Sequence, residues 1–163
     1  MINFEARLTA PGVQSRLDGL LRSLDAAGRN TLLRKIAAIQ ISNTKSRFAH
    51  MNEPSGGRWE KLRAVTVLHK AVGHGRKQRS VGSPIRIGLW TGDLVNSIKY
   101  RIVGNEVRIG SDVPYATTFH FGAKKHSFGN KTPWGDIPSR KFLGTNKPTN
   151  DKILQVMNVY FSR

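Results

Sequence analysis

The chain has 163 residues, no cysteine and a formal net charge of +17. This length suits one domain spanning residues 1–163, and a hydrophobic content of 38% is too high for a disordered chain. The lack of cysteine excludes disulfides and thiolate metal sites, and no apolar stretch approaches the ~18 residues of a membrane span. We therefore expect a soluble, non-secreted protein that folds in a reducing compartment.

Alternation of apolar and polar residues from Ile2 to Leu8 predicts an opening strand. Helical spacing of apolar residues then begins at Val13 and predicts a helix that ends near Gly28. A second helix should be capped by Asn30 or Thr31. It should end before Pro54, with its basic residues, Arg47 included, mostly on the solvent side.

Residues 53–90 carry glycine, proline and charge without a sustained apolar period, apart from a short predicted helix at 65–72. Within them, a loop at about 61–88 is strongly basic, with no Asp or Glu between residues 61 and 86. The predicted contacts with DNA or an acidic partner are Lys61, Arg63, Lys70, Arg76, Lys77, Arg79, Arg86, Lys124 and Lys125.

A hairpin follows, with Gly104 and Asn105 between two alternating strands. Residues 137–143 read as a short extended piece at a sheet edge, because Pro138 cannot donate to a ladder. Pro148 and Asn150 introduce a last helix. The pattern predicts an α+β domain: a small antiparallel sheet of three to four strands, two N-terminal helices and one C-terminal helix.

Catalytic chemistry has little support in this sequence. Ten carboxylates are scattered without an acid/base pair, and the five histidines show no zinc-ligand spacing. No phosphate-binding glycine loop and no nucleophile elbow occurs. We expect no enzymatic activity, no cofactor and no bound metal.

The charge points instead to a binding role. Twenty-seven Lys and Arg against ten Asp and Glu exceed what solubility requires of a small domain, so we expect an acidic partner. Nucleic acid is the favoured partner, and an acidic protein surface stays open. The three tryptophans, Trp59, Trp90 and Trp134, each either fill the chain's own core or anchor a neighbouring subunit.

Several pieces in unbroken order resemble the phage virion morphogenesis family, which includes Mu-like and tail-completion proteins. They are Gly57-Arg58-Trp59-Glu60-Lys61-Leu62, Thr66 and Lys70, Leu89-Trp90-Thr91-Gly92-Asp93-Leu94-Val95-Asn96-Ser97-Ile98, Ile109-Gly110-Ser111, Val113-Pro114-Tyr115-Ala116, Phe121-Gly122 and Ile137-Pro138-Ser139-Arg140-Lys141-Phe142-Leu143-Gly144. The chain departs from the pattern at Phe119-His120, where the family has a His-Gln pair, and at Lys141, which replaces a proline.

The resemblance implies a structural virion protein, made in the bacterial cytoplasm, that acts in tail completion or head–tail joining as a ring of identical subunits in the neck or tail. Its partners would be further copies, neighbouring neck, tail or portal-associated proteins, and packaged double-stranded DNA. A ring of about six copies would carry a charge of about +102, which requires DNA or acidic neighbours. The alternative is a free protein that binds nucleic acid without sequence specificity; a nuclease ranks third.

Two expectations follow from the ring. Reversing the charges of Arg76, Lys77 and Arg79 should impair assembly without unfolding the domain. Residues 137–143 should lie at or near a subunit boundary. The predicted interface residues are Trp59, Trp90, Tyr115, Phe119, Phe121, Ile137, Arg140 and Phe142.

Overall fold

The computed structural model describes residues 4–7, 11–64, 66–68, 87–89, 91–128 and 135–162. Their helices and strands, in chain order, are β1 (Phe4–Arg7), α1 (Pro11–Ser23), α2 (Ala26–His50), α3 (Asp93–Asn96), β2 (Ile98–Val103), β3 (Glu106–Ser111), α4 (Ala116–Phe121) and α5 (Lys147–Phe161). The α+β class is confirmed. The strand total predicted for the whole chain and the basic loop stay predictions.

The sheet has the order β1-β3-β2 and is antiparallel. β2 and β3 form the predicted hairpin, with Tyr100 opposite Ile109 and Gly104 at φ 59° in the turn. Helix α2 packs against this hairpin and against α5, while α1 packs against α5. Helix α2 therefore lies between the hairpin and the C-terminal helix α5.

The break between the first two helices differs from the prediction. Helix α1 ends at Ser23, and α2 begins at Ala26 with Asp25, not Asn30 or Thr31, as its N-cap. The Asp25 carboxylate accepts a hydrogen bond from the Gly28 amide at 2.8 Å, so that glycine lies within the first helical turn instead of ending a helix. The predicted end before Pro54 is confirmed, since α2 stops at His50.

Helix α2 joins two apolar clusters. Its first half contributes Leu32, Leu33 and Ile36 to a cluster with α1 and α5, and Phe48 belongs to a second cluster beneath the hairpin and loops. Buried polar residues, Gln40 and Thr44 among them, lie between the two sets on the same helix. The core is thus divided in two along α2.

Arg47 contradicts its predicted solvent position. Its side chain is only 4% exposed, and Nη1 donates to the carbonyl oxygen of Phe142 at 2.9 Å. Burial lowers the pKa of the guanidinium from its usual value. Nε and Nη2 have no hydrogen-bond partner in the described structure. The periodicity failed here because a guanidinium that reaches a distant carbonyl can occupy a core position.

Residues 137–143 do not form the predicted edge strand. Within the described chain they make one isolated bridge, between Ala123 and Ile137. Their remaining backbone groups bond to separate partners, as when the Arg140 amide donates to the Phe119 carbonyl at 3.0 Å. Phe142 and Leu143 are buried, so the segment is an irregular strap across the core instead of part of a ladder.

Two other helix starts are defined by their capping residues. Gly92, at φ 82°, is the N-cap of α3, and Asp93 is its first residue. Asn146 caps α5 by accepting from the Thr149 amide at 3.0 Å, so this helix begins before Pro148. Of the short helix predicted at 65–72, the described residues 66–68 are helical.

Candidate functional site

Two segments that are far apart in sequence lie side by side on one surface. The Trp59 indole Nε1 donates to the carbonyl oxygen of Lys141 at 3.1 Å. The Arg140 Nε donates to the carbonyl oxygen of Glu60 at 3.2 Å. Because both bonds join a side chain to a backbone carbonyl, they fix the path of the chain and leave the neighbouring side chains free to face solvent.

A third segment joins the same surface through the Ala123–Ile137 bridge, whose two backbone hydrogen bonds measure 2.9 and 2.7 Å. Two residues after Ala123 and one residue before Ile137, the Lys125 amide donates to the Asp136 carboxylate at 2.7 Å. The turn at 123–127 is thereby held next to residues 135–141.

The three segments together form a surface that we call the basic face. Its exposed charged side chains are six cations and two carboxylates: Arg58, Lys61, Arg63, Lys124, Lys125 and Lys141, with Glu60 and Asp136. A methyl group placed on Gly135 would lie 2.7 Å from Arg63 Nη1, so this guanidinium covers the glycine backbone.

The structure thus brings together four of the nine predicted contact residues, Lys61, Arg63, Lys124 and Lys125. It adds Arg58 and Lys141, which are not among the predicted contacts. Each is the sequence neighbour of a core aromatic residue, Trp59 or Phe142. The other five, Lys70, Arg76, Lys77, Arg79 and Arg86, lie outside the described residues.

An aromatic cluster supports the basic face from below. Phe48 lies 5.2 Å from Trp59, 5.9 Å from Phe119 and 5.4 Å from Phe142 between ring centroids. Trp59 meets Phe119 edge-on at 5.3 Å. Such contacts add to the stabilisation from burial and restrict ring orientation, so the loops above rest on a rigid base.

Burial in this region places several of the predicted interface residues in the core of the chain. The side chains of Trp59, Phe142 and Arg140 lie inside this chain, so Trp59 takes the core role that the sequence left open. Tyr115 and Phe121 are 48% and 60% exposed. Phe119 and Ile137 are partly buried, and Trp90 and Trp134 lie outside the described residues.

His120 connects α4 to the strap. It is 7% exposed, and its Nδ1 accepts a hydrogen bond from the Phe142 amide at 3.3 Å. Burial, together with the nearby Lys141 cation, lowers the pKa of His120 from 6.5 to about 4. The ring is therefore neutral near pH 7 and serves as an acceptor that orients residues 139–142.

Two further features concern metals and membranes. Among the described residues, no group of three or more His, Cys, Asp or Glu is placed to hold a metal ion. No helix in the described ranges has the length and apolar character needed to cross a bilayer.

The comparisons with known proteins rest on one match. The model of the phage virion morphogenesis family matches residues 9–162 of the 163-residue chain. No curated protein and no solved structure shows significant similarity to it. The match includes all three segments of the basic face.

Proposed function

The chain belongs to the phage virion morphogenesis family, and on that basis we propose that it acts in tail completion or head–tail joining as a homo-oligomeric ring around the DNA channel. Family membership gives the coarser role, a structural protein of phage particle assembly. The position in the neck or tail, the ring and its partners are the proposed part.

The observation that carries the proposal is the basic face. Six exposed cations against two carboxylates, on loops fixed by long-range hydrogen bonds, make a surface suited to polyanions. Contacts between such cations and phosphates release counterions and need no base-specific groups. Packaged DNA, which presents every sequence to the channel, is a matching partner, and an acidic protein surface is the other.

The test compares two fourfold charge reversals that have the same net charge. The first replaces cations of the basic face by glutamate: Lys61→Glu, Arg63→Glu, Lys124→Glu and Lys125→Glu. The matched control reverses exposed cations of α1, α2 and α5: Arg16→Glu, Arg22→Glu, Arg34→Glu and Lys152→Glu. Both variants carry a formal charge of about +9 by the same counting, so their difference reports the location of the charge.

Each variant is supplied to a phage that lacks its own copy of the gene, and infectious particles are counted. We expect the basic-face variant to lower the yield strongly and the control to leave it nearly unchanged, with similar urea midpoints for both proteins. Equal yields from the two variants would contradict the proposal.

The solution mass of the purified chain, alone and with a short duplex of arbitrary sequence, tests the ring. A ring-sized species supports the proposal. A monomer that binds the duplex tightly and loses it steeply with salt supports the alternative of a free, sequence-nonspecific nucleic-acid-binding protein.

A further inference from the structure

A cleft of about 470 Å³ opens beside the basic face. Four of its lining residues, Leu62, Ile87, Leu94 and Phe119, are apolar. A cleft of this size holds one or two amino-acid side chains, and its apolar walls favour an occupant that brings hydrophobic surface.

Arg140 gives the cleft a buried cation. Its side chain is 6% exposed, its Nε is bonded to the Glu60 carbonyl oxygen, and its guanidinium carbon lies 6.0 Å from the centroid of the Phe119 ring. Within the part of the chain that the structure describes, no atom accepts a hydrogen bond from Nη1 or Nη2. Burial lowers the pKa of Arg140 and the nearby Glu60 charge raises it, but the Glu60 carboxylate accepts no hydrogen bond from the guanidinium in the described structure. A guanidinium stays charged at neutral pH, so the cleft wall presents cationic donors that are open to a ligand.

The Asp93 carboxylate also lines the cleft but does not bind the Arg140 guanidinium. Asp93 accepts a hydrogen bond from the Thr91 hydroxyl and makes no ion pair with Arg140 in the described structure. Tyr115, which also lines the cleft, has its pKa raised by burial and by the Asp93 charge. Asp93 therefore lies on the Tyr115 side of the cleft.

We propose that the cleft binds a short peptide segment of an acidic partner protein, with an aspartate or glutamate on Arg140 and a neighbouring apolar side chain against Leu62, Ile87 and Leu94. A carboxylate matches the guanidinium fork in two parallel hydrogen bonds. A carboxylate there satisfies donors that the described chain leaves without an acceptor, which makes the contact specific for that group.

Other occupants fit less well. A second copy of this chain offers few carboxylates, ten Asp and Glu against twenty-seven Lys and Arg, so a segment of it matches Arg140 less well than a segment of an acidic protein. DNA presents hydrated phosphates and has no apolar side chain for the walls, so it suits the neighbouring basic face better. The biological meaning of the site rests on the proposed assembly role, but its binding chemistry is measured on the purified chain alone.

The experiment uses terminally blocked tripeptides of sequence Leu-Glu-Phe and Leu-Gln-Phe and follows the amide NMR signals of Thr91, Leu94 and Tyr115. We expect the glutamate peptide to bind with a Kd of about 1 mM and the glutamine peptide to bind roughly tenfold more weakly. Both peptides meet the same folded protein, so this comparison needs no variant. Equal affinities, or no change at these signals with either peptide, overturn the proposal.

Two substitutions test the assignment within the cleft. Arg140→Gln should abolish the preference for the glutamate peptide. Asp93→Asn should strengthen binding of that peptide about threefold, because it removes a like charge from the cleft. Unchanged affinity of the glutamate peptide for Asp93→Asn overturns the placement of the peptide in this cleft, even where Arg140→Gln fails to fold.

A competition experiment tests the class of partner. Displacement of the peptide by a 12-base-pair duplex overturns the choice of a protein partner. If the ring or the DNA binding of the proposed function is disproved, the peptide affinities still test this inference.

Discussion

The neutral, buried His120 makes stability depend on pH in a defined way. Its pKa is about 4 in the folded chain and 6.5 when solvated, and each step of one in pKa corresponds to about 1.36 kcal/mol. Because the folded pKa is the lower one, the unfolded chain takes up the proton first as the pH falls. The contribution is therefore complete above pH 6.5 and is lost between pH 6.5 and about 4. The full loss amounts to roughly 3 kcal/mol, and most of it has occurred by pH 4.5.

Urea unfolding at fixed protein concentration, followed by tryptophan fluorescence at pH 7.5, 5.5 and 4.5, measures this loss. His120→Asn keeps a side-chain acceptor for the Phe142 amide but does not titrate, so its stability should fall less over the same range. His126→Asn is the matched control, since His126 is exposed and asparagine tolerates its φ of 70°. The reasoning fails if His120→Asn and the wild type lose the same free energy, or if the NMR titration of His120 has its midpoint above pH 5.5.

Two pairs of substitutions, each a test and its control, give further predictions that are measured by urea midpoints. Phe142→Ala should lower the free energy of unfolding by about 3–5 kcal/mol, because the ring is fully buried. Phe121→Ala, which removes an exposed ring, should change it by no more than about 0.5 kcal/mol. Similar losses for the two variants would refute the placement of Phe142 in the core. Gly122→Ala should cost more than about 2 kcal/mol, since the added methyl lies 2.6 Å from the Ile137 carbonyl oxygen at φ 76°. Gly104→Ala, at φ 59° with open space around it, should cost only about 1–2 kcal/mol, and equal costs at the two glycines would contradict the steric argument.

Local patterns predicted the local elements well. Gly104 and Asn105 between alternating strands specified the hairpin, and the end of α2 was placed correctly before Pro54. These features succeed because each depends on residues a few positions apart. The misplaced break near Gly28 is the exception, since Asp25 was an equally good capping residue and the sequence offered no means to choose.

Contacts between distant residues were the ones that sequence could not supply. Nothing in the periodicity of α2 indicates that Arg47 reaches the Phe142 carbonyl, or that Trp59 donates to Lys141. The motif around Phe142 was identified in the sequence, but it was predicted as an edge strand, whereas it forms an irregular, partly buried segment. Grouping Lys61 with Lys124 likewise required the bridge between Ala123 and Ile137, which no spacing rule predicts.

The strap also determines when the domain can finish folding during synthesis. Arg47 and Phe142 are 95 residues apart, and at roughly 5–20 residues per second the ribosome adds Phe142 about 5–20 s after Arg47. Helix α2 is complete by then, but the ring of Phe48 lacks the partner that closes its cluster. Until Phe142 has been synthesised, this part of the core stays open, which lengthens the time during which apolar surface of the nascent chain is exposed to other chains.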